Sequence, residues 1–500
     1  MNGPERSPCA VRPSASSRVR HASRLFGLLA AMVALAGHAN GDQATPDLEY
    51  LLVRPTELPG LNLGWEFPGA SGRVETADDP QRGPCHRVHY DLSKGGRYVR
   101  MEAACPPADV WAIRFALRRP TDAGQMFFAI RDATDQYFRG AIEVKGPDWQ
   151  EMEIPLTEER FSAHHGGAND GRIHRPVRVV CIEMEAPEKV GEFVVDELRA
   201  VLDDPAKPPV PRVFIQPDPP GGVAFLNEKA VYKLVLDNRL SVARNLAFLV
   251  TADDQDGKRL YAKRHTLEAE AFGIAERSFD LETKSLGYQL IAAIAEGKDS
   301  AEGGGATLEI QSGLAVVVEP QRYHQADPES FFAVHQDKGL LETACRLGAK
   351  AVMWSSNWLW TEPVPGRYVW ADEYLEQCEK LGLGMVIKFN HFTPSWAIWH
   401  DAPRPELQPF IAPEHLASFG KWVGETVKRY KGRLQAVEFI NEPDLGYWQG
   451  ANLDLETAVD MYVKTLEAGY AAVKAADPNL CVWGVGVSSY DQGTGFRFTE

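Results

Sequence analysis

Glu442 is the residue of this chain with the clearest chemical promise. It lies in VEFINEPDLGYW (437–448), at the end of a short apolar run, with Asn441 before it and Pro443 after it. A carboxyl group held at such a place can pass a proton to or from a reacting oxygen. Other short apolar segments end in a similar way. One delivers His335, a second Trp354 through Trp360, and a third Asn390, His391 and the loop TPSWA (393–397). A last one delivers Ser488, Ser489 and Tyr490. Aromatic faces stack on the apolar faces of ring compounds, and Asn and His bond hydroxyls. The ligand this set suits is therefore neutral and rich in hydroxyls. Its candidate contacts are Asn441, His335, His391, Trp358, Trp396, Tyr447 and Trp448. No three His or carboxylates have metal-ligand spacing, and no GxSxG is present. Neither a metal enzyme nor a serine hydrolase is supported, and no cofactor is expected.

The elements that must position these residues follow a regular grammar after about residue 325. FFAVH (331–335) precedes DKGLLETACRLG (337–348), and AKAVMW (349–354) precedes DEYLEQCEKLG (372–382). GMVIKFN (384–390) leads to PEHLASFGKWVGETVKRYKG (413–432), and LQAVEFIN (434–441) leads to LETAVDMYVKTLEAGYAAVKAAD (455–477). CVWGVGVSS (481–489) is the fifth apolar strand. Short, nearly all-apolar strands alternating with amphipathic helices predict a parallel sheet covered on both faces. Equal spacing without a Gly-rich phosphate loop favours a (β/α)8 TIM barrel over 325–500, with chemistry at the C-terminal strand ends. A full barrel takes about 250 residues, and the chain to Glu500 holds only strands 1–5. The expectation is a barrel incomplete in this chain, continuing past Glu500; the rival is a complete but open α/β domain. Alternation puts Glu438, Ile440 and Glu442 on one strand face. If Glu442 points into the barrel mouth, Glu438 points into its centre and reads as a buried hydrogen-bond acceptor.

Two β sections precede this region. Residues 47–203 contain short alternating segments such as VWAIRFALRR (110–119), QMFFAIRD (125–132) and EFVVDELRAVL (192–202), which predict an antiparallel sandwich. DDPAKPPVPRV (203–213) reads as a linker, because its prolines cannot enter a central strand. Residues 212–320 repeat the strand pattern and predict an immunoglobulin-like sandwich, plainly a spacer. The fold class is therefore multidomain: two all-β sandwiches, then an incomplete TIM barrel. Residues 1–39 carry five Arg, a short apolar run (25–36) and small residues at 37 and 39, the pattern of a secretory signal peptide. The chain would be exported, to periplasm, medium or cell surface, without membrane insertion. The formal net charge is −16, which argues against nucleic acid or an anionic membrane as the main partner. Six cysteines follow the signal and match no CxxC pattern. Cys85 and Cys105 could pair, or remain buried thiols.

The stretch 331–490 resembles the retaining (β/α)8 glycoside hydrolases of clan A. These include cellulases, β-xylosidases and β-galactosidases. The details lean towards the β-xylosidase and α-L-iduronidase family, family 39, and its relatives. The residues that carry the resemblance are FFAVH, NWLWTEPVPGRYVW (357–370), TPSWA and VEFINEPDLGYW, in that order, over about a third of the chain. The resemblance implies that Glu442 is the general acid/base and that Asn441 bonds the 2-hydroxyl of the sugar at the cleavage point. It also implies a nucleophilic carboxylate about 5–5.5 Å from the acid, for a double displacement with retention. The clan carries that group on strand 7, which this sequence does not contain, so no residue is assigned. The clan usually has Arg at the end of strand 2, and alignment places Met353 there. Met neither donates a hydrogen bond nor holds charge. Either another cation takes its place, the alignment is displaced, or the site is altered. The first β section resembles the sugar-binding jelly rolls fused to such enzymes, through EFVVDELRAV. The expectation is a retaining hydrolase of O-glycosidic bonds in a poly- or oligosaccharide. The alternative is a non-catalytic carbohydrate-binding protein on the same scaffold, and a third reading is a cell-surface protein whose β sections bind a partner. Sugar, linkage and oligomeric state are left unassigned.

Overall fold

The computed structural model describes residues 47–64, 69–119, 124–296, 308–330, 333–335, 338–390, 392–398, 411–443, 454–484 and 486. The segment read as a signal peptide lies outside them, as do His391, Tyr447 and Trp448.

The first β section forms two antiparallel six-stranded sheets. One runs Ser71–Asp79, Gly83–Asp91, Val190–Leu202, Val110–Arg118, Gln150–Pro155, with Glu49–Leu51 added to Val190–Leu202. The other runs Ala163–His165, Tyr137–Ile142, Gln125–Arg131, Val179–Glu185, Tyr98–Ala104, Gly60–Asn62. Alternation along each strand turns one set of side chains inward, so Phe115 of the first sheet meets Phe128 of the second at 5.9 Å between ring centres. Cys85, Cys105 and Cys181 are free thiols here, and the Cys85 Sγ donates to the Ala77 carbonyl.

The second section packs a three-stranded sheet (Arg212–Pro217, Ala230–Asp237, Ile274–Leu281) against a five-stranded one. It is not a loose spacer. Leu240 is 2% exposed and belongs to the core of the first sandwich. Asp237 is held between two guanidinium groups, Arg54 from the first section at Nε···Oδ1 2.7 Å and Arg239 at Nε···Oδ2 2.8 Å. Arg239 also donates to the Leu52 carbonyl at 2.9 Å. Buried charges are tolerated when each is paired in this way.

The third section contains five parallel strands: β1 (Ala333–His335), β2 (Ala351–Asn357), β3 (Gly384–Asn390), β4 (Leu434–Phe439) and β5 (Cys481–Val482). They lie in the order β1-β2-β3-β4-β5. The intervening helices are α1 (Leu341–Arg346), α2 (Trp358–Thr361), α3 (Asp372–Lys380), α4 (Leu416–Arg429) and α5 (Leu455–Ala476). Consecutive parallel neighbours joined through helices are the βα repeat expected from the sequence. Closure into a barrel is not part of the described structure. Arg346 of α1 docks this section on the second one. It forms a two-point ion pair with Glu228, at 2.7 and 3.1 Å, and lies over the Phe225 ring at 4.7 Å.

One face of the parallel sheet is apolar. Val352, Met385, Ile387, Phe389, Val437 and Phe439 pack under α3, α4 and α5. Phe389 meets Trp422 of α4 edge-on at 5.1 Å. Gly469 lets α5 approach closely: a Cβ there would run into the Phe439 ring. At Gly424 of α4 a Cβ would sit 3.7 Å from that of Ala472, an ordinary contact. Thermal or denaturant unfolding should separate the two. Gly469→Val is expected to lose about 1–3 kcal/mol through overpacking, while Gly424→Ala gains about 0.5–1 kcal/mol from helix propensity. Equal responses would contradict the packing described.

Candidate functional site

The opposite face of the sheet carries polar side chains. Side chains alternate along a strand, so Met353, Ser355 and Asn357 of β2 share this face with Val386, Lys388 and Asn390 of β3 and with Ala436 and Glu438 of β4. The register sets them in rows. Met353 pairs with Val386, Ser355 with Lys388, and Asn357 with Asn390. Val386 pairs in turn with Ala436, and Lys388 with Glu438. The lower row is largely apolar. The next is Ser355–Lys388–Glu438, and the uppermost, Asn357–Asn390, lies at the C-terminal strand ends.

Lys388 organises this face. Its ammonium donates to Asn441 Oδ1 at 2.6 Å and lies 3.8 Å from Glu438 Oε1. Both Lys388 and Glu438 are buried, with 8% and 7% of their surface exposed. Burial pushes the Glu438 carboxyl above its usual range, and the Lys388 ammonium draws it part of the way back. A Cβ on Gly486 would stand 2.6 Å from Glu438 Oε1, so a side chain there would have to push the carboxylate aside.

Beyond Phe439 the strand geometry breaks. Ile440 has φ 61° and Glu442 φ 43°, in the left-handed region that a β-branched residue such as Ile rarely enters. The consequence corrects the parity expected from the sequence. Ile440 does not share a face with Glu438; it is fully buried in the helix-side core with Phe439. The kink returns Asn441 to the polar face. Asn441 bridges Gly486 in parallel, and the Glu442 N–H donates to the Gly486 carbonyl at 2.9 Å. Asn441 Nδ2 donates to Glu442 Oε2 at 3.1 Å. Asn441 and Glu442 are thus brought together at the end of β4, both half-buried.

The other predicted contacts divide. His335 is exposed and bonds Ser355 Oγ at 2.9 Å, which links β1 to the Ser355–Lys388–Glu438 row. Trp358 is corrected. It is 1% exposed, stacks on Trp422 at 5.8 Å, and donates its indole N–H to Glu362 at 2.7 Å, so no ligand reaches it. Trp396 is half-buried, edge-on to Trp358 at 5.1 Å, and donates to the Glu362 carbonyl at 3.3 Å. The Glu-Pro of the loop after β2 is therefore scaffolding. Glu362 receives the Trp358 indole on one oxygen and the Gly366 N–H on the other.

Three features escaped the sequence reading. Lys388 is a buried cation on the polar face; a lone Lys in the apolar run GMVIKFN was its signal. Trp360, not Trp358, is the exposed ring after β2. It is 63% exposed and stacks with Phe392 at 6.1 Å and 13° between planes. Two residues along α2 separate a buried Trp from an exposed one, and no type-based reading distinguishes them. The Lys388–Asn441–Glu442 chain of contacts needed the kink at Ile440. Cavities of about 370 and 360 Å³ lie instead at the junction of the first two sections, lined by residues such as Glu57, Arg212 and Arg239 or Arg54, His86 and Asp196. Arg54, Arg239 and Asp196 are already engaged in ion pairs, and the candidate chemistry is elsewhere. Among the described residues no three His, Cys, Asp or Glu converge as a metal cage. No described helix is long and apolar enough to cross a membrane.

No family model and no curated protein matches the chain. Among solved structures, it is similar to a family 39 glycoside hydrolase from the gut symbiont Bacteroides cellulosilyticus WH2. Identity is 19%, over 54% of this chain and 50% of that one, with a TM-score of 0.34. It is also similar to a family 11 carbohydrate-binding module from Clostridium thermocellum, at 18% identity over 31% of this chain and 97% of the module, with a TM-score of 0.26. A β-glucuronidase from Bacteroides uniformis aligns at 13% identity over 81% of this chain and 48% of its own, with a TM-score of 0.22. The chain spans about half the length of the two enzymes.

The raised Glu438 carboxyl has a pH consequence. The folded state holds this proton more tightly than the unfolded chain does. The stability it contributes is complete below the ordinary glutamate pKa and is lost as pH rises through the raised value. Glu438→Gln removes that dependence. Unfolding free energies measured from pH 4 to 8 should show wild type losing ground to the variant as pH rises. Parallel profiles would show that Glu438 is not buried as described.

Proposed function

We propose that this protein is a carbohydrate-active enzyme, a retaining glycoside hydrolase in which Glu442 is the general acid/base. The observation that carries the reading is the placement of Asn441 and Glu442, in contact, at the C-terminal end of β4 on the polar face of a parallel sheet. The ordered strings FFAVH, NWLWTEPVPGRYVW, TPSWA and VEFINEPDLGYW support it. In this proposal β1–β5 are strands of a (β/α)8 barrel. Glu442 protonates the glycosidic oxygen as a nucleophilic carboxylate, assigned to no described residue, bonds the sugar carbon and displaces the leaving group; Glu442 then takes a proton from the water that displaces that carboxylate and releases the sugar. The Asn441 amide bonds the hydroxyl next to the reacting carbon. His335 supplies a further polar contact, and His391, Tyr447 and Trp448 retain their proposed role as sugar contacts. The exposed Trp360–Phe392 pair, after β2 and β3, offers an aromatic platform for a sugar face. We further propose that residues 1–39 direct export, that 47–203 is a sandwich with a carbohydrate-binding role, and that 212–320 sets its distance from the site.

Glu442→Ala in the full-length protein tests the assignment. Turnover of glycosides with poor leaving groups should fall by about 10²–10⁴-fold, while aryl glycosides with good leaving groups lose much less, because they need no proton. Equal loss for both classes would remove Glu442 from the role. Sugar binding by wild type without any cleavage would favour a carbohydrate-binding protein on the same scaffold. Trp360→Ala should weaken binding of an oligosaccharide by about tenfold, the worth of one stacked ring. An unchanged affinity, measured by calorimetry, would remove the platform from the site.

A further inference from the structure

We infer that Lys388 is a positioning residue, which sets the orientation of the Asn441 amide and through it the group that faces Glu442 and the ligand. The inference rests on the reading of Asn441 and Glu442 as the ligand-facing pair, and it extends that reading to a residue that touches neither substrate nor reacting atoms.

The argument begins with donor and acceptor chemistry. An amide side chain presents an oxygen at one corner and an NH2 at the other, and the two are nearly equal in size. Packing alone does not choose between them. An ammonium group has three donors and no acceptor. With Lys388 Nζ 2.6 Å from one corner of Asn441, that corner has to be the oxygen. The NH2 then projects on the other side, where it donates to Glu442 Oε2 at 3.1 Å. Were the amide reversed, its NH2 would face the ammonium and its oxygen would face a carboxylate, two repulsive contacts in place of two attractive ones.

The ammonium is itself immobilised. Lys388 is 8% exposed, and its neighbours in register are Ser355 on one side and Glu438 on the other. Glu438 Oε1 at 3.8 Å supplies the opposite charge that a buried ammonium requires. Glu438 lies beside Gly486, where a Cβ would stand 2.6 Å from its Oε1, and the same Gly486 bridges Asn441 and accepts from the Glu442 N–H. The constraint therefore runs from Glu438 to Lys388, to the Asn441 oxygen, and across the amide to Glu442. Each step is a contact between groups of opposite polarity, so the amide has one favourable setting before any ligand arrives. A hydroxyl approaching Asn441 meets a donor and not an acceptor.

The test uses the full-length protein with 15N-labelled asparagine, followed by the side-chain NH2 resonances of Asn441. Lys388→Met alone strands the Glu438 charge, so it is paired with Glu438→Gln, which removes both charges together. Thermal unfolding checks that this double variant is folded. In wild type, Glu442→Gln should displace the Asn441 NH2 pair and speed its exchange with water. In the Lys388→Met, Glu438→Gln background the same change should displace the pair further and speed its exchange more, because no cation then holds the amide once the carboxylate is gone. Lys388→Arg, which keeps a cationic donor, should restore the wild-type response. An Asn441 amide that responds to Glu442 equally with and without Lys388 would overturn the inference.

A second readout separates this inference from the functional reading. Wild type should prefer a glycoside over its 2-deoxy analogue, and loss of Lys388 should shrink that preference by about tenfold, the worth of one hydrogen bond. An undiminished preference would overturn the role of Lys388 and leave the glycoside reading standing. An amide response that depends on Lys388, in a protein that binds no glycoside, would uphold the orientation and overturn the reading.

Discussion

A buried ammonium must be paired and hydrogen-bonded, and the polar face of the parallel sheet is arranged around that requirement at Lys388. Its charge is answered by Glu438 at 3.8 Å and its hydrogen bond by Asn441 at 2.6 Å. Satisfying it draws β4 into a left-handed kink at Ile440, because an extended strand would put Ile440, and not Asn441, on this face. The kink in turn brings the Glu442 N–H to the Gly486 carbonyl. Strained φ at two non-glycine residues in three is what such a site demands of a surrounding fold.

That fold supplies rigidity from two directions. On the helix side, Phe389, Phe439 and Ile440 are locked against Trp422 and Phe419, so the β3 and β4 ends cannot shift independently. On the rim, the loop after β2 is fastened by Glu362, whose two oxygens hold Trp358 and Gly366 while its carbonyl receives Trp396. The tryptophans of that loop thus divide their labour. Trp358 and Trp396 hold the loop, and Trp360 faces outward with Phe392. Further away, Arg346 on Glu228 and Arg54 and Arg239 on Asp237 join the β sections to each other and to α1. The two pairs on Asp237 are shielded from water, where a broken pair leaves an uncompensated charge.

Much of this architecture was legible in the chain. The strands Val110–Arg118, Gln125–Arg131 and Val190–Leu202 coincide with alternating segments, and β1 to β5 coincide with short apolar runs. Period-two and all-apolar patterns survive folding because they record which faces meet water. The position of Asn441 and Glu442 at the end of β4 was also legible, since the apolar run that forms the strand ends there. Trp358 was misread for the converse reason. Aromatic residues serve a core and a rim equally well, and their type carries no information about which side of a helix turn they occupy. Leu240 was missed as part of the first core because its burial depends on how two sandwiches dock.

Local pattern determined the elements, their order and the polar residues that end the strands, because hydrophobic periodicity and turn chemistry act over a few neighbouring residues. The tertiary structure alone decided which of those residues meet. Ser355, Lys388 and Glu438 lie on three strands up to 83 positions apart and become neighbours only through parallel register. The direction of the Asn441 amide follows from a charge 53 positions away. Such contacts depend on register and on a backbone kink, and neither is written in the sequence around Glu442.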